Sequence, residues 1–458
     1  MHLQQHCARE HFINAALVLL ASAFFTGCVA SSDSAVKTAL IPSFPPQATW
    51  APSIPRPTAT TSPKPVPQRT PTFVAYPTQT SVFEIGEIIE LSSIHMASER
   101  HGWGTNNSAV WITRDGARTW RDVTPPAQYL PGTSYEWYGA FLDANHAWVV
   151  RAILRPPPDF GCIDTDASVW YTSNGGQTWK ASQPLTHDLV DMSCRVSIKM
   201  IDAQAGWLII DGWYTGAGPH TPSEFFHTTD GGATWKAAQA SWSDSTGTYY
   251  PDTPQWLSDR AFYDQTGWQL INTSECWPCY GATPAPAYYM TADGGLSWRF
   301  HYLPAPSDVP GLFERYFSCE PYQLNLLTGE VVRLKLACSQ YDENQEPRAI
   351  DFLYATEDGG ISWDTFELPM ASANMSDYYT RMIFFGADHG LLLGREMWRT
   401  ADGGKTWQHI NTVTWDAQFS FVDRSHGWAI ARADDVAVLV YTINGGEDWQ
   451  VLSPTVTP

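Results

Sequence analysis

Short apolar and aromatic runs, separated by polar turn residues, recur along this chain from about residue 92 to residue 453. Residues 110–111, 225–226 and 438–441 are examples of such runs. Apolar runs of this length, bounded by Gly, Asp and Asn, are typical of β-strands, and helical periodicity is hard to find after residue 30. The pattern therefore predicts an all-β protein.

One phrase, Thr-x-(Asp/Asn)-Gly-Gly-x-x-Trp, punctuates the runs seven times with small lapses, at intervals of 42 to 65 residues counted from Trp to Trp. The Thr hydroxyl and the Asp or Asn side chain can hydrogen-bond the backbone of their own turn, and the glycines accept positive φ. Each copy thus predicts a structural hairpin turn. The seven turn residues are Asp115, Asn174, Asp230, Asp293, Asp358, Asp402 and Asn444.

A second periodic mark lies upstream of most copies, where an acidic turn precedes Gly-Trp or a related pair, as at Gly206-Trp207 and Gly427-Trp428. Each repeat then holds about four short strands, which we name A to D and which together form one propeller blade. The sequence predicts a single seven-bladed β-propeller of four-stranded blades over residues 81–458, with the seven phrases as C–D turns. Its 22 Trp, 20 Tyr and 20 Phe agree with an aromatic-rich β fold.

The N-terminal region predicts the location of the protein. An apolar run over residues 13–25 is too short to span a bilayer and is followed by Thr26-Gly27-Cys28. Residues 1–27 are similar to a lipoprotein signal peptide with Cys28 as the lipidated residue, which predicts a membrane-anchored lipoprotein outside the cytoplasm, at the cell surface or in the periplasm. The alternative is an ordinary secretory signal beside a coincidental cysteine.

Residues 28–80 are rich in Pro and Thr and predict a disordered stalk. The whole chain has a formal net charge of −20, while the stalk is weakly basic, so the negative charge belongs to the repeats. An acidic domain is a poor partner for nucleic acid or anionic membrane surfaces. We therefore expect membrane contact only through the lipid on Cys28.

Six cysteines remain after Cys7 and Cys28, an even number that favours disulfides outside the cytoplasm. Cys319 and Cys338 fall opposite each other around the predicted turn Thr328-Gly329. The remaining predictions are Cys276–Cys279 and Cys162–Cys194, with other connectivities open. Cys276-x-x-Cys279 also admits a redox interpretation, but no βαβ unit surrounds it. We expect no cofactor and no metal site.

The irregular insertions all reach the end of the propeller that carries the B–C and D–A connections, which we call the loop-rich end. Recognition usually uses loops on a rigid scaffold, and aromatic rings suit either protein contacts or sugar stacking. Charged residues near the starts of the innermost strands would surround the channel mouth there. The candidate binding residues are Glu136, Arg195, Arg381, Asp416, Trp137, Trp213, Tyr214 and Trp277.

The seven-fold phrase resembles the Asp-box, or bacterial neuraminidase repeat. Over roughly residues 83–452 the repeat text is similar to the photosystem II stability/assembly factor family, whose bacterial members are often lipoproteins. That resemblance implies a seven-bladed propeller that binds a protein partner during assembly. The residues thus predict a non-enzymatic scaffold binding a protein or an extracellular polymer, with no catalytic residue.

The alternative is a secreted sialidase-like glycoside hydrolase. Sialidases resemble this chain in the repeat, and their site needs three arginines, an acidic Asp, and a Tyr nucleophile helped by a Glu. The Arg-Ile-Pro-type motif that opens their propellers is absent from this sequence.

Overall fold

The computed structural model describes residues 75–78, 81–127, 134–154, 168–185, 193–213, 223–237, 241–243, 249–250, 257–271, 285–315, 318–341, 347–369, 380–433 and 436–458. The chain divides into two units, residues 1–68 and Arg69–Pro458, and every described residue belongs to the second. The predictions for the signal peptide, for Cys28 and for most of the stalk therefore lie outside the described residues.

Seven sheets follow one another along the described residues, each built around a blade of four consecutive antiparallel strands. The first three blades are β2 (Ser93–Met96), β3 (Gly102–Thr105), β4 (Val110–Thr113) and β5 (Thr119–Asp122); β6 (Ser134–Phe141), β7 (Ala147–Leu154), β8 (Trp170–Thr172) and β9 (Thr178–Ala181); and β10 (Ser193–Met200), β11 (Gly206–Trp213), β12 (Ser223–Thr228) and β13 (Lys236–Ala237).

The other four blades complete the ring, which confirms the predicted all-β, seven-bladed propeller. They are β16 (Leu257–Tyr263), β17 (Thr266–Ile271), β18 (Ala287–Thr291) and β19 (Ser297–Tyr302); β20 (Ser318–Leu326), β21 (Val332–Tyr341), β22 (Pro347–Thr356) and β23 (Asp364–Glu367); β24 (Arg381–Phe384), β25 (Gly390–Leu393), β26 (Glu396–Thr400) and β27 (Gln408–Thr412); and β28 (Asp416–Phe421), β29 (Gly427–Ala433), β30 (Val436–Thr442) and β31 (Gln450–Leu452).

Among the described residues, the hydrophobic core is divided into seven clusters, and each cluster lies between two neighbouring blades. Trp148 on β7 and Phe226 on β12, for example, share the cluster between blades two and three. Because side chains of a strand point alternately to the two faces of its sheet, every blade contributes to two clusters. The ring is therefore held by contacts between blades rather than by one central core.

The tryptophans of several Gly-Trp pairs, and of the related pair Ala147-Trp148, join one blade to the next. Trp148 is fully buried, and its indole Nε1–H donates to the carbonyl of Gly231 in the next blade at 2.8 Å. A Cβ at Gly232 would come within 2.8 Å of that ring, so this turn needs glycine for close approach as well as for its φ of +88°. Equivalent bonds run from Trp207 to Gly294 and from Trp428 to Gly116.

Blade five has an arginine, and blade six Leu391, at the position where the other five blades have this Trp. Arg333 occupies the second position of β21, is buried, and donates from Nη2 to the carbonyl of Ala387 in blade six at 2.9 Å. The same nitrogen lies 3.1 Å from Glu357 Oε1. A guanidinium with several donors thus replaces the single indole donor in bonding the next blade, although it reaches the A–B turn of that blade rather than its C–D turn.

A buried ion pair lies on the same face of blade five as Arg333. Lys335 follows Arg333 by two residues on β21, and its Nζ lies 2.7 Å from Asp351 Oδ2 on β22. Both side chains are essentially inaccessible to solvent. Charges at such depth are stable only when they are paired, so each residue depends on the other.

The ring closes where blade seven meets blade one. After β31, the chain forms β32 (Thr455–Val456), which pairs in parallel with β5, and the N–H of Val456 donates to the carbonyl of Glu87 at 2.9 Å. On the inner side, Ser420 of β28 accepts from the N–H of Met96 at 2.8 Å. Both ends of the repeat region thus bind across the closing junction.

Further strands cover the outer edges of two other blades. β1 (Ala75–Pro77) pairs antiparallel with β9 of blade two, and β14 (Ser241–Ser243) with β15 (Tyr249–Tyr250) extends blade four. The sequence assigned residues 75–77 to a disordered stalk, whereas here they complete an exposed sheet edge. The described residues include one short helix, α1 (Leu312–Arg315), and none long and apolar enough to cross a membrane.

The seven predicted C–D turns have one common hydrogen-bond pattern. At Asp358, the Thr356 hydroxyl donates to Oδ1 at 2.7 Å, and the N–H of Gly360 donates to that hydroxyl oxygen at 2.9 Å. The N–H and hydroxyl of Ser362 donate to Oδ1 and Oδ2. The other six turns repeat the bonds from the Thr hydroxyl and from the later N–H to the Asp or Asn oxygen.

These turns predict an acid dependence of stability. Hydrogen bonds from the hydroxyl and N–H of Ser362 and from Thr356 lower the pKa of Asp358 to about 2. A carboxyl whose pKa is depressed by folding stabilises above its unfolded pKa, near 3.8, and loses that contribution as pH falls through about 2. We expect Asp358→Asn to make the free energy of unfolding fall less steeply between about pH 4 and pH 2, as urea titrations would measure.

Near neutral pH the same variant should change little, because Asn174 and Asn444 already hold equivalent bonds in their own turns. The reverse variant, Asn174→Asp, should add acid dependence of the same sign. Equal slopes for the wild type and both variants would contradict the assignment.

Candidate functional site

The two ends of the propeller differ in what the chain places on them. The A–B turns and the seven hydrogen-bonded C–D turns share one end, and the B–C and D–A connections share the loop-rich end. Long stretches of the loop-rich end, among them residues 155–167, 214–222 and 272–284, lie outside the described residues. The described part of this end consists of strand ends and short turns.

Glu136 lies near the loop-rich start of β6, the innermost strand of blade two. Its Oε2 accepts a hydrogen bond from the hydroxyl of Tyr138 at 2.5 Å, and both side chains are half-buried. Residues two apart on a strand share a face, which is why these two side chains meet. The sequence analysis selected Glu136 and missed Tyr138, although period-two spacing would have identified it.

Asp416 begins β28 and is held by a two-pronged ion pair. Arg395, in the B–C turn of blade six, donates from Nε to Oδ1 at 2.9 Å and from Nη2 to Oδ2 at 2.7 Å. Arg381, at the start of β24, is exposed. Blades six and seven thus present guanidinium and carboxylate groups side by side at the loop-rich end, and Arg395 was not foreseen from the sequence.

Trp137 does not lie on the surface, contrary to its selection as a binding residue. Its ring is 3% exposed and packs in the cluster between blades one and two. Tyr135 lies on the same face of β6 as Trp137, and the guanidinium of Arg151 lies 3.9 Å from the ring centre of Tyr135. Strand alternation turns Trp137 away from the face that carries Glu136 and Tyr138, so its ring has no surface for a ligand.

The remaining candidates are described only in part. Arg195 and Trp213 belong to β10 and β11, where the structure describes their backbone, and Arg195 pairs in register with Asp211. Tyr214 and Trp277 lie outside the described residues. The binding roles of these four residues stay predictions.

One predicted disulfide falls within the described residues. Cys319 and Cys338 are opposite each other in the register of β20 and β21 and form a disulfide. Both are buried in the cluster between blades four and five. The pairings Cys162–Cys194 and Cys276–Cys279 involve residues outside the described side chains and stay predictions.

The comparisons with known proteins concern the fold. No family model and no curated protein sequence matches the chain. The chain is similar to solved structures that include a GH74 enzyme of Niastella koreensis, with 11% identity and a TM-score of 0.29 over 78% of this chain and 61% of that chain. It is also similar to the GH93 α-L-arabinofuranosidase of Fusarium graminearum, with 10% identity, TM-score 0.41, and coverage of 70% and 95%.

A polysaccharide lyase of family PL25, an ulvan lyase, is a further structural neighbour, with 10% identity, TM-score 0.40, and coverage of 70% and 82%. The chain spans about three fifths of the Niastella enzyme. Likenesses at this level are likenesses of fold alone. The resemblance to photosystem II stability/assembly factors and to the Asp-box repeat family stays a prediction.

Proposed function

We propose that this chain is an extracytoplasmic lipoprotein, anchored through Cys28, whose propeller binds an extracellular polysaccharide at the loop-rich end of its channel. The observation that carries the proposal is the hydrogen-bonded pair of Glu136 and Tyr138 on the innermost strand of blade two. A carboxylate accepts from sugar hydroxyls, and a phenol both donates and accepts. Both groups sit on a rigid strand, which favours a fixed ligand geometry.

The charges of the protein indicate which class of polymer the loop-rich end would bind. Arg395, Asp416 and Arg381 offer paired donors and acceptors, which suits neighbouring hydroxyls of a sugar ring. The chain as a whole carries a formal net charge of −20, which repels polyanions. A neutral or amino-sugar polymer therefore fits better than a sulfated or uronic one.

The test is a glycan array with the full chain, followed by calorimetry with the best oligosaccharide. We expect saturable binding that weakens at least about tenfold in Glu136→Gln, since one hydrogen bond to a charged group is worth roughly 1.5–3 kcal/mol. Glu447→Gln is the matched control, because Glu447 is an ion-paired carboxylate in a C–D turn of the opposite end. Glycan binding that is absent, or equally reduced by both variants, would contradict the proposal.

The second candidate is a sialidase-like glycoside hydrolase, and the same pair favours it. Tyr138 would attack the anomeric carbon while Glu136 takes the phenol proton, the glycosidic C–O bond would break with the aglycone leaving as an alcohol that takes its proton from water, and a second water would then hydrolyse the glycosyl–tyrosine, as the resemblance to sialidases implies. Tyr138→Phe distinguishes the two functions, because it removes the nucleophile and keeps the ring. Reducing sugar released by the wild type and lost in Tyr138→Phe, with weakened but still saturable binding, would establish the hydrolase in place of a pure binding domain.

A further inference from the structure

Three ligating side chains from two blades meet where the ring closes, at the end opposite the loop-rich mouth. Asp423 and His426 lie in the A–B turn of blade seven, and Glu99 lies in the A–B turn of blade one. Nδ1 of His426 is 2.9 Å from Asp423 Oδ2 and 3.7 Å from Glu99 Oε1. One ligand atom from each residue lies within 4.8 Å of the other two.

Blades two and three provide an internal comparison for this group. The turn Asp143-x-x-His146 in blade two has the same Asp–His hydrogen bond at 2.9 Å, so that bond alone is a feature of the turn. The N–H of Gly231, in the C–D turn of blade three, donates to the carbonyl of Gln204 in the A–B turn of that blade. The N–H of Gly116, at the same position in blade one, donates to the carbonyl of Arg100. Ala203, the residue before Gln204, is therefore the equivalent of Glu99, the residue before Arg100. The third ligand, a carboxylate, is present at the closing junction and missing from its counterpart.

The distances suit a small divalent cation. Zn²⁺ takes His nitrogen at about 2.0–2.1 Å and carboxylate oxygen at about 2.0–2.2 Å, which places neighbouring ligand atoms about 3.4 Å apart in a tetrahedral site. The 3.7 Å between His426 Nδ1 and Glu99 Oε1 is close to that value, and the 2.9 Å between His426 Nδ1 and Asp423 Oδ2 is the hydrogen bond that the ion would replace. Glu99 is the most exposed of the three side chains, so it can adjust its position, and water can complete the coordination.

We propose that Glu99, Asp423 and His426 bind a divalent transition-metal ion, for which Zn²⁺ is the probe. The bound ion links blade seven to blade one. The two blades are joined at this point by the Trp428–Gly116 hydrogen bond and by apolar packing. An ion bound by residues far apart in sequence binds the closed ring and not the unfolded chain, so it stabilises the fold by mass action. The sequence analysis predicted no metal site. The three proposed ligands come from two turns more than 300 residues apart, so no local spacing in the sequence indicates them.

Zinc titration of the full chain tests the proposal. Calorimetry measures the affinity and stoichiometry, and thermal unfolding measures how much the ion stabilises the closed ring. We expect one saturable Zn²⁺ equivalent and a rise in Tm of about 3 °C at a hundredfold excess over Kd. Glu99→Gln should weaken binding at least about tenfold while its Tm in EDTA stays that of the wild type. His146→Asn, in the two-ligand turn of blade two, should bind as the wild type does.

A gain-of-function variant tests whether a third ligand is sufficient to create the same site at another junction. Ala203→Glu supplies the missing carboxylate between blades two and three and should add a second Zn²⁺ equivalent. If this equivalent does not appear, the carboxylate as third ligand is not what distinguishes the two junctions, which would count against the proposal. Equal binding by the wild type and Glu99→Gln, loss of binding in His146→Asn, or no saturable binding at all would overturn the proposal.

Discussion

Replacing Asp351 by alanine is expected to lower the free energy of unfolding by about 3–5 kcal/mol, because the ammonium of Lys335 would then be buried without its carboxylate. Burial alone would lower the pKa of Lys335, but the attraction of Asp351 and Tyr322 and their hydrogen bonds outweigh it and raise that pKa. A cation whose pKa is raised by folding contributes its stability at all pH values below its unfolded pKa. The loss in Asp351→Ala should therefore be fully present at pH 7.

The double variant Lys335→Met/Asp351→Leu is the informative control for the buried pair. Two apolar side chains of similar volume remove both charges, and such replacements are often neutral or stabilising. Urea unfolding followed by far-UV circular dichroism would measure both variants. If the double variant were as unstable as Asp351→Ala, packing rather than an orphaned charge would explain the loss.

Replacing Trp148 by alanine is expected to cost about 3–5 kcal/mol of unfolding free energy, by loss of a buried ring and the cavity that remains. The ring fills the space against Gly232 and stacks on Tyr171 with centroids 5.0 Å apart. Its indole also satisfies the carbonyl of Gly231 in the next blade. The variant therefore weakens a contact between blades and not only one sheet.

Trp148→Phe separates the ring from its hydrogen bond. It keeps most of the apolar contact and leaves the Gly231 carbonyl without its partner, so we expect a smaller loss of about 1–3 kcal/mol. Ile361→Ala, at a C–D turn position that is 88% exposed, is the control and should change stability by no more than about 0.5 kcal/mol. Equal losses in Trp148→Ala and Ile361→Ala would contradict the role given to the ring.

The strands and turns of this propeller were readable from the sequence because their causes are local. A Thr hydroxyl, an Asp or Asn two residues later and a glycine bond one another within a single turn, so the phrase predicts its own geometry. Strand β1 was missed for the opposite reason. Ala75–Pro77 forms a strand only because β9 presents an unpaired edge more than 100 residues later in the chain.

The candidate site shows the same division between local and distant causes. Glu136 was found as a charged residue at a strand start, and strand alternation explains both its contact with Tyr138 and the burial of Trp137. The partner of Asp416 was not found, because Arg395 belongs to the preceding blade. Arg333 was missed because it departs from the Gly-Trp pattern, although it too bonds a carbonyl of the next blade.

The sequence by itself determined the fold class, the number of blades and the turn chemistry, since each depends on residues a few positions apart and is repeated seven times. The tertiary structure decided which face each aromatic ring occupies, which charges are buried together, and which turns meet where the ring closes. Lys335 and Asp351, or Glu99 and His426, carry no mutual signal in the chain, because their contact exists only after the strands pair and the blades close into a ring.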